Sequence, residues 1–130
     1  MKKLMKKIIK TDLAPRPIGP YNQAVIAERF LFTAGQIAIE PQTGEFIAGD
    51  IKEQTRLVLQ NISAILAEAK ASLDQVVKTT IFLKNINDFS GMNEVYSEFF
   101  SKNFPAKSTV EVARLPKDAL VEIECMAIIS

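Results

Sequence analysis

Between Phe104 and Ile129 the chain reads FPAKSTVEVARLPKDALVEIECMAII, two apolar-rich runs flanking Leu115-Pro116-Lys117-Asp118. Lys107, Thr109 and Glu111 alternate with Ser108, Val110 and Val112. Val121, Ile123, Cys125 and Ala127 then alternate with Glu122, Glu124, Met126 and Ile128. A period of two places successive side chains on opposite faces of a strand. Pro116 lacks the N–H that a ladder needs, so the break falls there. The pattern predicts a terminal pair of antiparallel strands. It also sets Lys107, Glu111, Arg114, Glu122 and Glu124 on or beside a core sheet, facing water or lining a site.

Upstream, Lys6 to Lys10 is a short edge strand whose lysines discourage stray pairing. Ala14 to Tyr21 carries three prolines and Gly19, and reads as a stiff irregular loop with an unusual turn at Gly19. Tyr21 ends it, an aromatic with a polar tip. Gln23–Ala27 and Phe30–Ala34 form a hairpin joined near Glu28-Arg29. Gly35 follows, where something can approach the backbone closely. Pro41-Gln42-Thr43-Gly44 is a tight turn.

Two helices complete the pattern. Asp50 caps the first, with Glu53 in a capping-box position and Ile51, Val58, Ile62, Ile65, Leu66 and Ala69 at helical spacing through Lys70. Asn87 or Asp88 caps the second, whose stripe of Phe89, Met92, Val95, Tyr96, Phe99 and Phe100 reads as core. The β-branched run Val76–Leu83 lies between them as a buried strand. Each helix crosses back over one sheet, which predicts a two-layer α+β domain spanning 1–130. The helices cover one face; burying the Val, Ile and Thr of the other calls for further subunits.

Composition narrows the chemistry. A 130-residue chain with 48% hydrophobic and 24% charged residues suits one packed domain, and a net charge of +1 exerts no general pull on nucleic acid or anionic membrane. Lys2, Lys3, Lys6, Lys7 and Lys10 make only the N-terminus basic, and no apolar run reaches the length of a signal core or a spanning helix. With Cys125 as the single cysteine, a reducing, cytoplasmic setting is expected. There is no histidine, which rules out His-based nucleophile systems and His-ligated metals. Chemistry is left to carboxylates, Lys, Arg, Tyr, hydroxyls, backbone groups and water.

Among single residues, pattern alone leaves alternatives open. Lys107 is a solvated strand-end charge or the partner of an anionic ligand. Glu122 is an exposed carboxylate, a partner for Lys107 or Arg114, or a group that orients water. Asn93 lies opposite the aromatic stripe as an exposed polar residue. Arg114 pairs with Glu111 or Glu124 across the two strands, and Cys125 is a small buried hydrophobe.

Several stretches together resemble the Rid family of reactive-intermediate (enamine/imine) deaminases, specifically its RidA branch. They are Ala14-Pro15 with Ile18-Gly19-Pro20-Tyr21, Thr33-Ala34-Gly35-Gln36-Ile37, Pro41-Gln42-Thr43-Gly44 and Val77-Lys78-Thr79-Thr80 with Phe82. Asn87-Asp88-Phe89 through Asn93 to Tyr96 follows, then Phe104-Pro105-Ala106 and Val110 to Pro116. Each motif is short; the joint spacing over nearly the whole chain is what is specific.

The resemblance implies a chorismate-mutase-like α+β fold, packed as a trimeric barrel with sites between subunits. It implies cofactor-free and metal-free hydrolysis of 2-imino acids, such as 2-iminopropanoate and 2-iminobutanoate, to 2-keto acids and ammonia. Tyr21 matches the tyrosine that packs on the ligand, Gly35 the glycine whose carbonyl helps hold water, Asn93 an asparagine near the pocket, and Glu122 the glutamate that activates water. Lys107 stands where the branch carries an arginine that grips the substrate carboxylate through two hydrogen bonds. Losing one such charged bond costs about 1.5–3 kcal/mol, roughly 10- to 150-fold in affinity. Thr109 replaces a common cysteine and supplies a backbone N–H and a hydroxyl for a carboxylate. The implied partner is a small imino or keto acid, with no nucleic acid and no membrane. Retained charge recognition also suits a non-catalytic, metabolite-sensing trimer that binds small carboxylates. A chaperone-like or translation-inhibiting role ranks last, since no basic patch beyond the N-terminal lysines is present.

Overall fold

The computed structural model describes residues 5–129; Lys2 and Lys3 of the basic stretch lie outside them. Strands β1 (Lys6–Ile9), β2 (Ala24–Ala27) and β3 (Phe30–Thr33) are followed by helix α1 (Ile51–Glu68) and strand β4 (Val76–Leu83). Helix α2 (Phe89–Phe99), β5 (Ala106–Glu111) and β6 (Val121–Ile128) complete the chain. The expected order of strands and helices is the observed one.

The strands form one mixed sheet in the order β1-β2-β3-β6-β4-β5. This corrects the terminal strand pair. β5 runs parallel to β4, with Thr79 opposite Lys107, while β6 lies antiparallel between β3 and β4. Alternation reports which face a side chain takes, not which strand lies next door. The α2 crossover returns the chain parallel to β4, and β6 then fills the gap on β4's other side. Arg114 therefore has no Glu111 or Glu124 across a ladder. It is exposed, and Glu111 instead accepts the Ile86 N–H at 2.9 Å.

Both helices pack on one face. Val58, Leu59, Ile62, Ile65 and Leu66 of α1 and Met92 of α2 are buried in one cluster with Leu31, Ile81, Leu83, Val121 and Ile123 of the sheet. Asp50 accepts the Glu53 N–H at 2.9 Å, as expected for its cap. Asp88 precedes α2 without a side-chain capping bond; Asn85 caps the short 3₁₀ turn before it, accepting from Asn87 N–H at 2.9 Å. α1 stops at Glu68, two residues short of expectation, and Lys70 turns left-handed at φ 57°.

The other face has no helix over it. Register places Ile8, Phe30, Phe32, Val110 and Ile128 there, all exposed. β1 closes one edge of the sheet, paired only with β2 as its lysines suggested.

The loop before β2 is held by Gln23, which is 2% exposed. Its Oε1 accepts Thr11 N–H at 2.7 Å, and its Nε2 donates to the carbonyls of Thr11, Ala14 and Pro15 at 2.9, 3.2 and 2.8 Å. Buried amide groups need such partners, so one side chain fixes the run leading to Tyr21. Gly19 does not make the unusual turn: Gly44 is the one glycine with positive φ among the described residues.

Candidate functional site

The sequence-selected residues fall into two groups on opposite faces of the sheet. Glu122 is in register with Phe82 on the uncovered face, and Lys107 with Thr79 on the helix face. Within one chain they do not meet.

The first group surrounds Glu122. A small cleft of about 50 Å³ is lined by Tyr21, Gly35, Glu122, Arg16, Ile37 and Pro116 among others. Gly35 is necessary in its wall. A Cβ there would lie 2.7 Å from Glu122 Oε2 and 2.8 Å from its Cδ, so the carboxylate occupies the space a side chain would take. Gln36 N–H donates to the Ile123 carbonyl at 2.9 Å, and the Gln36 carbonyl accepts the Ile123 N–H at 3.1 Å, pinning Gly35 alongside. Burial first, and Glu124 second, push the Glu122 carboxyl above its ordinary value. Tyr21 accepts the Ile18 N–H through its hydroxyl at 3.2 Å, which turns the ring toward the cleft mouth.

The second group surrounds Lys107. Its Nζ donates to Asn93 Oδ1 and lies 4.8 Å from the Tyr96 ring centroid and 5.2 Å from that of Phe89. Both distances fall within cation–π range. Although the residue is exposed overall, partial burial lowers its pKa. No carboxylate pairs with it among the described residues, whose ion pairs are Lys52–Glu94, Arg56–Glu98 and Lys84–Asp118. An open hollow of about 340 Å³ adjoins it, walled by Asn93, Tyr96, Phe100, Phe104 and Pro105. Thr109 shares the Lys107 face two residues along β5, and its hydroxyl is buried without a hydrogen-bond partner.

Two readings from pattern change here. Asn93 is not a plain surface residue, since it holds the Lys107 ammonium. The aromatic stripe is not all core: Phe89 is exposed, and its ring faces the lysine with Tyr96, whose hydroxyl hydrogen-bonds Thr79 at 2.8 Å. A period of 3.6 identifies the face but not what extends over its rim. Pattern also passed over Gln23, and Arg16, which lines both the Glu122 cleft and an adjoining hollow of about 510 Å³. Among the described residues no three Asp, Glu or Cys side chains cluster for a metal, and no helix is long and apolar enough to cross a membrane.

Comparison with known proteins gives the class and then the family. The crystal structure of E. coli TdcF with bound serine superposes with a TM-score of 0.90 at 47% identity, covering 95% of this chain and 99% of that one. The shared architecture is therefore the α+β layer of a mixed sheet with two helices on one side. A RutC family protein of Pyrococcus abyssi is 58% identical over 124 residues, 95% of this chain and 98% of the relative. The human 2-iminobutanoate/2-iminopropanoate deaminase is 42% identical over 128 residues, 98% and 93% of the two chains. Residues 11–129 match the family described as Endoribonuclease L-PSP. The chain belongs to this family, also called RutC, Rid or YjgF-like.

Proposed function

We propose that this 130-residue chain acts as one RidA-like domain, a cofactor-free deaminase of 2-imino acids of the 2-iminobutanoate/2-iminopropanoate type. In this reading it works as a homotrimer with sites between subunits. The observation that carries it is the division of the site. A desolvated carboxyl over Gly35 lies on one face of the sheet, and a cation without a carboxylate partner lies on the other. A second copy brings one chain's Lys107 side to another's Glu122 cleft. Packing three uncovered faces into a barrel also removes Phe30, Phe32, Val110 and Ile128 from water. Supporting the substrate class, the human relative carries the deaminase name and the TdcF crystal holds an amino acid.

The chemistry follows from the groups. Lys107, kept in place by Asn93, binds the substrate carboxylate, and the Thr109 backbone N–H donates to the same group. Tyr21 covers the ligand. Glu122 and the Gly35 carbonyl accept hydrogen bonds from one water and aim its lone pair at the C=N carbon. As the C–O bond forms, Glu122 takes the water's proton and passes it to the nitrogen. The C–N bond then breaks, ammonia leaves, and Glu122 accepts the hydroxyl proton as the C=O of the 2-keto acid forms. A carboxyl pushed above its ordinary value is nearer neutrality and better matched to this exchange. The protonated imine is already electrophilic, so these residues suffice.

Coupled detection of keto acid from freshly generated 2-aminoacrylate tests the reading. Acceleration over spontaneous hydrolysis at micromolar enzyme is expected, and none overturns it. One observation favours a second reading, a non-catalytic carboxylate binder: an ammonium lacks the planar fork that fixes a carboxylate in two places. Calorimetric binding of 2-ketobutanoate with no turnover would select it.

A further inference from the structure

We propose that Lys107 is also a covalent site, condensing reversibly with 2-keto acids to form an imine at its Nζ. This rests on the carboxylate-anchoring role proposed above. The reaction is R–CO–COO⁻ plus the lysine ammonium giving R–C(=NH⁺–Lys)–COO⁻ plus water. The amine lone pair forms the new C–N bond, the carbonyl oxygen leaves as water, and no redox partner is involved.

Geometry carries the argument. The carbonyl carbon of a 2-keto acid is bonded directly to its carboxylate carbon. An ammonium that holds the carboxylate thus sits against an oxygen only two covalent bonds from the electrophilic carbon. A guanidinium at that position holds the same acid without reacting, because its lone pairs are delocalised and it stays protonated. The groups facing Nζ are uncharged: Asn93 and the rings of Phe89 and Tyr96 from α2, and beyond them Phe100, Phe104 and Pro105 at the wall of the hollow. No carboxylate among the described residues locks the amine into an ion pair. The hollow of about 340 Å³ leaves room for a small keto acid beside it. The aromatic rings favour a cation at Nζ, and the protonated imine is a cation at the same atom, so their attraction persists after condensation. Partial burial lowers the lysine pKa, which enlarges the fraction of free amine available to attack.

The test is reductive trapping. The full-length protein is incubated with 2-ketobutanoate and sodium cyanoborohydride, then examined by intact mass and peptide mapping. One reduced adduct per chain, mapping to Lys107, is expected. It should disappear in Lys107→Arg and persist in Lys78→Arg, which removes a lysine on the opposite sheet face. Label spread over surface lysines and unchanged by Lys107→Arg overturns the proposal. Calorimetry on the same samples separates the two ideas. Keto-acid binding that depends on Lys107, without an adduct, removes the covalent site alone; no binding removes the anchoring role beneath it.

Discussion

Lys107 and Glu122 leave one sheet in opposite directions. Lys107 stands in register with Thr79, which meets Tyr96 of the helix layer, and Glu122 with Phe82 on the uncovered side. Rotamer changes cannot bring both to one small ligand within a chain. Glu122→Gln and Lys107→Ala should therefore each lose most activity toward 2-imino acids on their own, yet regain it when unfolded and refolded together. In a random mixture about a quarter of the interfaces pair two intact halves, so roughly a quarter of the wild-type rate is expected. No recovery in a coupled keto-acid assay would place the whole site in one chain.

Gly35→Ala tests the contact beneath the carboxylate. The added Cβ meets Glu122 Oε2 at 2.7 Å and forces the carboxylate aside. A displacement of about 1 Å at a reacting group costs on the order of 100-fold in rate. The expected result is a fall of that size in kcat with unchanged far-UV circular dichroism. In a Glu122→Gln background the same change should cost little more, because both act through one group.

Glu122 also links activity to pH and stability. Its carboxyl is raised in the folded chain, by burial first and Glu124 second, so the fold favours its protonated form. That contribution is fully present below the unfolded value and is lost as pH rises through the folded one. At neutral pH the ionised carboxylate is a liability. Glu122→Gln should raise the urea midpoint near pH 7, with the gain shrinking toward pH ~4. Wild-type kcat/KM should rise with pH through a midpoint above the 4.5 of an ordinary glutamate. A destabilised Gln variant at neutral pH would contradict this account.

At Lys107 the shift runs the other way. Burial lowers its pKa below 10.5, so carboxylate binding should weaken on the alkaline side before an ordinary lysine would lose its proton. Lys107→Arg keeps its charge throughout and adds the planar fork. We expect KM to fall by about 10-fold or more and the alkaline limb to move up. Lys107→Ala should abolish preference for carboxylate-bearing imines. Steady-state kinetics across pH would separate these outcomes.

Gln23 supports the fold and the site together. Replacing it with Leu keeps the volume but leaves the Thr11 N–H and the carbonyls of Thr11, Ala14 and Pro15 without their partner. At about 1–3 kcal/mol for an orphaned buried group, denaturant titration should show a loss of roughly 3 kcal/mol or more. Lesser damage would mean that water replaces the amide.

The elements were legible because their signals are local. Asp50 before a 3.6-residue repeat, β-branched Val76–Leu83 and the Glu28-Arg29 turn each report on neighbours in the chain. Strand order is not local. Whether β6 lies beside β5 or between β3 and β4 depends on the α2 crossover, which alternation within β6 does not encode. The site divides the same way. Glycine at position 35 signalled a close approach, and Glu122 makes it. The contacts of Lys107 with Asn93, Phe89 and Tyr96 join residues 11 to 18 positions apart through packing of α2 on the edge strand. Pattern alone had assigned Asn93 to the surface.

Cys125 carries one further consequence. Its side chain is buried, its backbone N–H donates to Thr33 Oγ1 at 3.0 Å, and burial pushes the thiol up to about 11. Thiolates are the nucleophiles that an electrophilic imine most readily captures. An enzyme of the proposed kind faces self-poisoning. Keeping its one thiol protonated and buried leaves that hazard no thiolate to react with.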